Sequence, residues 1–329
     1  MERSGELTEG NLQQGQPPFD SSKVVVLLGP TASGKTQLAL ELTKQFPFEI
    51  VCMDSMQVYR EMRIGTARPS DQEEAMVPHH LFGAVSVREE MNCSRFATLA
   101  SEVMTEIQAR GKWVLLVGGT GLYYRALFQG LDPLPPTPNH LREKLNRLRQ
   151  RHGQNFLYKM LTRLDPRGAA SLHPNDAQRT QRFLEVRILS HKSILDYWQH
   201  QSLSQPGMDQ PLTLGLHVDR SLLVDRIHKR TLAMLQAGWL EETRQLKVDG
   251  LFSRVEKVGP IGYLLINAFL LGQISWKDLV DKISIQTRRY AKRQMTWFRK
   301  DAHITWFPFC AESGYNVATI SDLIGNRMT

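Results

Sequence analysis

The sequence predicts an α/β protein in which a parallel sheet is flanked by helices and carries an all-helical insertion. Four apolar runs, Val24 to Leu28, Phe48 to Met53, Trp113 to Val117 and Leu212 to Val218, lack the alternation of a half-exposed strand and suit strands buried on both faces. Between the first two, Leu38, Leu42 and Phe46 recur at helical spacing, so strand and helix alternate as in a sheet covered on both sides. The pattern then stops at Pro133, Pro135, Pro136 and Pro138, which exclude a continuous helix or a central strand.

Residues 1–22 are polar, with Gly5, Gly10, Gly15 and the pair Pro17-Pro18, and predict a loose tail with neither the apolar core of a signal peptide nor the basic amphipathic character of a transit peptide. Order is expected from Lys23. After the prolines, Leu141, Leu145 and Leu148 share one helical face while Arg142, Lys144, Arg147, Arg149 and Arg151 point elsewhere. A linker-like stretch from Gln199 to Gln210 returns the chain to the run at Leu212. The expected organisation is a tail at 1–22, an α/β core at 23–139 and 206–329, which the G-x-x-x-x-G-K-T run from Gly29 to Thr36 makes P-loop NTPase-like, and a helical insertion at 140–205.

Composition narrows the class. The 329 residues are 41% hydrophobic and 22% charged, which excludes disordered and fibrous chains. Cys52, Cys93 and Cys310 are far apart and form no C-x-x-C pair, which argues against a disulfide framework or a cysteine zinc site and for a reducing compartment. The longest apolar stretches fall short of the roughly 20 residues that span a bilayer, so no membrane association is expected. The net charge of +8 fits nucleic acid, acidic membrane or phosphorylated metabolites equally.

The strongest local signal is Gly29-Pro30-Thr31-Ala32-Ser33-Gly34-Lys35-Thr36, which fits G-x-x-x-x-G-K-[ST] between an apolar strand and an amphipathic helix. In that context loop and helix-start N–H groups face a diphosphate, Lys35 neutralises its oxygens, and the Thr36 hydroxyl can hold Mg²⁺. Phosphoryl-transfer enzymes also want an acid after a further apolar strand. Here the candidate strand ends in Gly118-Gly119-Thr120-Gly121 without a carboxylate, and the acid stands instead after the second strand, at Asp54. Adjacent strands open on one crevice in such a sheet, so Asp54 reads either as a general base beside the loop or as a helix cap. Pro78-His79-His80-Leu81 lacks a third metal ligand at familiar spacing and reads as structural. Arg142 to Arg151 is strongly basic, and Arg288 to Lys300 mixes cations with Tyr290, Trp297 and Phe298 as phosphate contacts plus stacking platforms would; either stretch alone reads equally as a solvated helix face, and the two together favour a polyanionic macromolecule.

Together these motifs resemble one set, that of the bacterial tRNA dimethylallyltransferases, also called isopentenyl-tRNA transferases. The resemblance runs from about Val24 to Phe307. It passes through Asp54-Ser55-Met56-Gln57-Val58-Tyr59-Arg60, Ile64-Gly65-Thr66-Ala67, Pro78-His79-His80-Leu81, Gly118-Gly119-Thr120-Gly121 and His173-Pro174-Asn175-Asp176. It continues through Arg226-Ile227 with Arg230, Ile261-Gly262-Tyr263, and Ala291-Lys292-Arg293-Gln294. It implies transfer of a dimethylallyl group from dimethylallyl diphosphate to the exocyclic amine of the adenine 3′ of the anticodon in tRNA, by a cytoplasmic, Mg²⁺-dependent monomer. It further implies catalytic roles for Asp54, Thr31, Lys35 and Arg230, a diphosphate site at Gly29 through Thr36, and metal at Thr36. The implied tRNA contacts are Asp54, Ser55, Met56, Gln57, Thr120, Arg142, Gln178, Arg179, Thr180, Gln181, Arg182, Gly259, Pro260, Ile261, Gly262 and Tyr263. Three departures stand out: Gly83 where an Asp is common, Arg68 for a usual Lys, and Leu264-Leu265 for a polar or acidic pair. The competing readings are a small-molecule P-loop kinase, with Asp54 activating a hydroxyl, and a non-catalytic RNA-binding module.

Overall fold

A computed structural model describes residues 18–199 and 210–329. The chain divides into two compact units, one of Met1–Gln129 with Met208–Thr329 and one of Gly130–Gly207. The expected tail lies outside the described residues up to position 17, as does nearly all of the stretch between Gln199 and Gln210. Within the expected tail, Phe19 is 5% exposed and meets Phe128 edge-on, and the Asp20 N–H donates to Gln108 Oε1, so the chain is anchored ahead of Lys23. One aromatic among polar residues gives no periodic signal, which is why the sequence places the start of order later.

The first unit holds a six-stranded sheet of β1 (Val24–Leu28), β2 (Phe48–Met53), β3 (His79–His80), β4 (Trp113–Gly118), β5 (Leu212–His217) and β6 (Thr305–Pro308). The order is β3-β2-β4-β1-β5-β6 and every pairing is parallel. All residues of β1 and β2 are buried, because successive side chains enter opposite layers. Val24, Val26 and Leu28 join Met53, Leu116 and the helices Cys93–Ala109 and Gly121–Phe128. Val25 and Leu27 join Ile50, Leu115, Leu214 and the helices Lys35–Thr43 and Val317–Met328. Two faces packed in this way require the uninterrupted apolar runs, and the α/β fold class stands. The sequence gives no warning of β3, two residues long, or of β6, an edge strand that ends on Pro308.

Beyond the sheet, Arg220–Met234 continues through a π-helical turn, Leu235–Trp239, into Leu240–Val248, with Gly238 at φ 103°. The apolar layer here is Met62, Val85, Trp239, Leu246, Tyr263 and Ile283. It supports the chain that leaves β2, which is what places the residues after Asp54.

The second unit is helical: Asn139–His152, Gln154–Leu164, Pro166–Ala170, Ala177–Ser190 and Ile194–Gln199. Leu141 and Leu145 enter its core with Leu157, Leu161, Phe183 and Leu184, as the shared helical face requires.

Candidate active site

The loop from Gly29 to Thr36 joins β1 to the helix Lys35–Thr43, with Ala32 at φ 63° and Gly34 at φ 99°. Its carbonyl side is held from behind. Arg226 Nε donates to the Ala32 carbonyl and the Tyr315 hydroxyl donates to the Ser33 carbonyl, each at 2.8 Å. N–H groups at the head of the helix are thereby left for an anion. Two loop N–H groups are already spent: that of Thr31 donates to Gln294 Oε1 at 2.9 Å and that of Ser33 to the Pro30 carbonyl at 3.2 Å. Lys35 Nζ donates to the carbonyls of Gly29 and Pro30 at 2.9 Å. Desolvation lowers its ammonium to about 8, with Asp54 opposing the fall and Arg230 adding to it. Burial likewise lowers the Arg230 guanidinium, against the pull of Asp54.

Asp54 follows the last residue of β2. Its Oδ1 accepts from the N–H groups of Met56 at 2.9 Å and Gln57 at 3.3 Å, while Oδ2 makes no hydrogen bond among the described residues. One oxygen caps the turn and the other is free for the pocket, so the two sequence readings of Asp54 are compatible. The Ser55 N–H donates to Thr120 Oγ1 at 3.0 Å, tying the ends of β2 and β4 together. Loop and carboxylate open on one cavity of about 620 Å³, lined also by Thr36, Ser55, Met56, Gln57, Arg226, Arg230, Tyr290 and the segment Gly259, Pro260 and Ile261. Burial, reinforced by the Asp54 charge, pushes the Tyr290 phenol up, which keeps that wall neutral.

The end of β4 explains the missing acid. Gln294, 5% exposed, donates from Nε2 to the Gly119 carbonyl at 2.9 Å while its Oε1 holds the Thr31 N–H. A Cβ at Gly119 would stand 2.0 Å from that Nε2. An amide bridge fills the place where a carboxylate would project.

The structure therefore gathers Thr31, Lys35, Thr36, Asp54 through Gln57, Gly259 through Ile261 and Arg230 around one cavity. Gly262 and Tyr263 stand behind it, with Tyr263 fully buried and donating to Glu242 Oε1. Arg142 and Gln178 through Arg182 belong to the second unit. There Thr180 and Gln181 are buried, and Arg182 donates to Thr137 Oγ1 and to the Pro135 carbonyl; Arg179 keeps a side chain 69% exposed. His79 lines the cavity and His80 Nε2 meets Glu49 at 2.7 Å; no group of three or more His, Cys, Asp or Glu able to hold a metal occurs among the described residues. Sequence reasoning misses Glu242 and Tyr315, which sit in no motif, and leaves Gln294 without a role although it stands in a quoted motif.

Residues 57–301 match the family model described as IPP transferase. The tRNA dimethylallyltransferase 2 of Syntrophus aciditrophicus is 42% identical over 88% of this chain and 93% of its own. The tRNA dimethylallyltransferase of Geobacter metallireducens is 42% identical over 88% and 94%. The full-length tRNA isopentenylpyrophosphate transferase of Bacillus halodurans superposes with a TM-score of 0.66 at 33% identity, covering 93% of this chain and 96% of that one. A eukaryotic dimethylallyltransferase acting on tRNA gives 0.72 at 27% identity, covering 92% and 80%. With the loop, the carboxylate after β2 and the closed end of β4 in one arrangement, and with likeness of this extent, the chain belongs to the IPP transferase family.

Proposed function

We propose that this protein transfers the dimethylallyl group of dimethylallyl diphosphate to the exocyclic N6 amine of the adenosine 3′ of the anticodon, tRNA position 37, releasing diphosphate. The observation that carries the reading is the convergence on a single cavity of a phosphate loop, Lys35, Arg230 and the Asp54 carboxylate, whose Oδ2 is free of the turn that Oδ1 caps. The diphosphate lies on the loop, its charge met by loop N–H groups, Lys35 and Arg230, with Thr31 beside it. As the adenine nitrogen forms its bond to the allylic carbon, the carbon–oxygen bond breaks and its electron pair leaves with the diphosphate. Asp54 Oδ2 takes the proton from the amine during this attack, since an adenine amine is almost never deprotonated beforehand. The base reaches Asp54 only outside its stack, at a cost of a few kcal/mol that contacts to the RNA backbone offset.

The Thr36 hydroxyl and the Asp54 carboxylate line the cavity and offer the hard oxygen donors that Mg²⁺ takes. So small a protein donor set fits a weakly held magnesium ion, for which Thr36 would be the protein ligand. When bound, the ion neutralises charge on the departing diphosphate. A kinase reading is disfavoured because β4 carries no acid and Gln294 occupies the space for one. Cytoplasmic location and a monomeric state complete the reading; among the described residues no helix is long and apolar enough to cross a membrane.

Mass spectrometry of nucleosides tests the proposal. A substrate tRNA incubated with the protein, dimethylallyl diphosphate and Mg²⁺ should yield N6-dimethylallyladenosine, and its absence overturns the assignment.

A further inference from the structure

Glu242 has no role in the reaction as described, yet it is the most heavily engaged carboxylate near the cavity. Its Oε2 accepts from the N–H groups of Arg63 at 2.8 Å and Ile64 at 2.6 Å, and its Oε1 accepts from the Gly65 N–H at 3.0 Å and the Tyr263 hydroxyl at 2.5 Å. Three successive backbone N–H groups converging on one point form a nest that would otherwise take an external anion. The protein fills it with its own side chain. The π-helical turn before it re-aims the helix so that Trp239 and Glu242 both meet this segment. The fit demands glycine at position 65, where a Cβ would stand 2.0 Å from Trp239 Nε1 and 2.4 Å from the Tyr263 hydroxyl.

The nest is continuous with the residues that face the base. Immediately after it, the carbonyls of Thr66 and Ala67 accept from Gln57 Nε2 at 3.1 and 2.9 Å. Both N–H bonds of the Gln57 amide are thereby spent, and Oε1 remains as an acceptor only. An acceptor-only amide suits a 6-amino purine, which donates from N6, and rejects a 6-oxo purine, which presents a second acceptor. Through Tyr263, Glu242 also fixes the segment Gly259 to Ile261, which lines the cavity from the other side.

Resting on the reading of this cavity as the acceptor-base site, we propose that Glu242 is a positioning residue for base selection: it locks the nest at 63–65, orients Gln57 as an acceptor, and so sets the preference for adenine over a 6-oxo base.

The test compares binding of an anticodon stem-loop carrying adenosine at the acceptor position with one carrying inosine, for the wild type, Glu242→Gln and Tyr263→Phe. Glu242→Gln keeps the shape but places an N–H₂ against N–H donors, whereas Tyr263→Phe removes only the phenol. The wild type should prefer adenosine by about tenfold or more, Glu242→Gln should narrow that preference to about twofold or less, and Tyr263→Phe should fall between. The affinity for dimethylallyl diphosphate should stay within about twofold in both variants. A preference unchanged in Glu242→Gln overturns the proposal, and so does a parallel loss of both affinities, which marks a merely structural role. If Glu242→Gln fails to fold, an unchanged preference in Tyr263→Phe overturns it instead. Because the readout is binding, it is independent of turnover: absent prenyl transfer in the wild type would sink the proposed function and leave this ratio to be read.

Discussion

On the proposed reading, Lys35 makes the diphosphate site a proton acceptor. Desolvated among the loop carbonyls, its ammonium falls to about 8 from an ordinary 10.5. At pH 7 about a tenth of the molecules carry a neutral Lys35, at pH 8 about half, and at pH 9 about nine-tenths. A bound diphosphate supplies opposite charge and returns the group toward its ordinary value. The complex then binds more protons than the free protein between 8 and 10.5, so raising the pH weakens binding, by about tenfold per unit across that window. The stability of the protein by itself responds in the opposite sense: its unfolded chain holds the proton that the native state has lost, so stability rises over the same window. Calorimetric titration with dimethylallyl diphosphate in two buffers of different ionisation enthalpy reads the uptake directly. It should approach about 0.9 proton at pH 9 and about 0.1 at pH 7. A phosphate ester loses its last proton near pH 6, so the ligand contributes little above 8. Lys35→Ala should abolish the uptake, and equal apparent enthalpies in the two buffers at pH 9 would refute the reasoning.

Asp54→Asn retains an oxygen for the turn at Met56 and removes the base, so single-turnover prenyl transfer should fall about 10²- to 10⁴-fold while tRNA affinity holds within a few-fold; unchanged turnover sinks the base assignment. In the second unit, Arg182→Ala removes one of three groups that hold the buried Glu185 carboxylate, the Thr137 hydroxyl and the Gln181 amide remaining, and should cost about 1 kcal/mol by chemical denaturation. Arg179→Ala should leave stability alone and reduce the salt slope of tRNA binding by about 0.7, the share of one phosphate contact; an unmoved slope removes Arg179 from the RNA surface. Gly83→Asp drives a Cβ to 2.1 Å from Arg68 Nη1 and should cost about 1–3 kcal/mol, of which Arg68→Lys in the same chain recovers at least ~1 kcal/mol; additive losses in that cycle would show the two positions to be independent.

The last pair shows what the sequence carries and what it conceals. Arg68 and Gly83 read along the chain as two unrelated departures from a family pattern. In space the Arg68 guanidinium occupies the room that a side chain at 83 would need, donates to the Arg60 carbonyl and lies 3.6 Å from Glu74. Strands β1, β2, β4 and β5 are legible because burial on both faces leaves an uninterrupted apolar run, and the phosphate loop because its spacing is set by the anion it must surround. Glu242 leaves no such trace. Three of its four partners are backbone N–H groups, which any residues but proline at 63 and 64 supply, so nothing in the composition of that segment announces the contact. Gln294 is hidden for the same reason: it answers a backbone N–H at Thr31 and a backbone carbonyl at Gly119.

Where the negative charge stands decides what a phosphate loop is for. A loop, a lysine and a hydroxyl will hold the phosphates of many compounds; transfer of a terminal phosphoryl group also calls for an acid on the metal and a separate residue that orients or deprotonates the incoming nucleophile. Here β4 ends under an amide bridge with no room for an acid, and Asp54 spends one oxygen on the turn that it caps. A single remaining carboxylate oxygen cannot both ligate a metal and receive a proton. If it receives the proton, charge on the phosphates falls to Lys35, Arg230, the loop N–H groups and an ion carried by the phosphates themselves. That division of labour suits a reaction in which the whole diphosphate leaves and bond formation happens at carbon, and it leaves the cavity beyond the loop to be shaped by the base that must enter it.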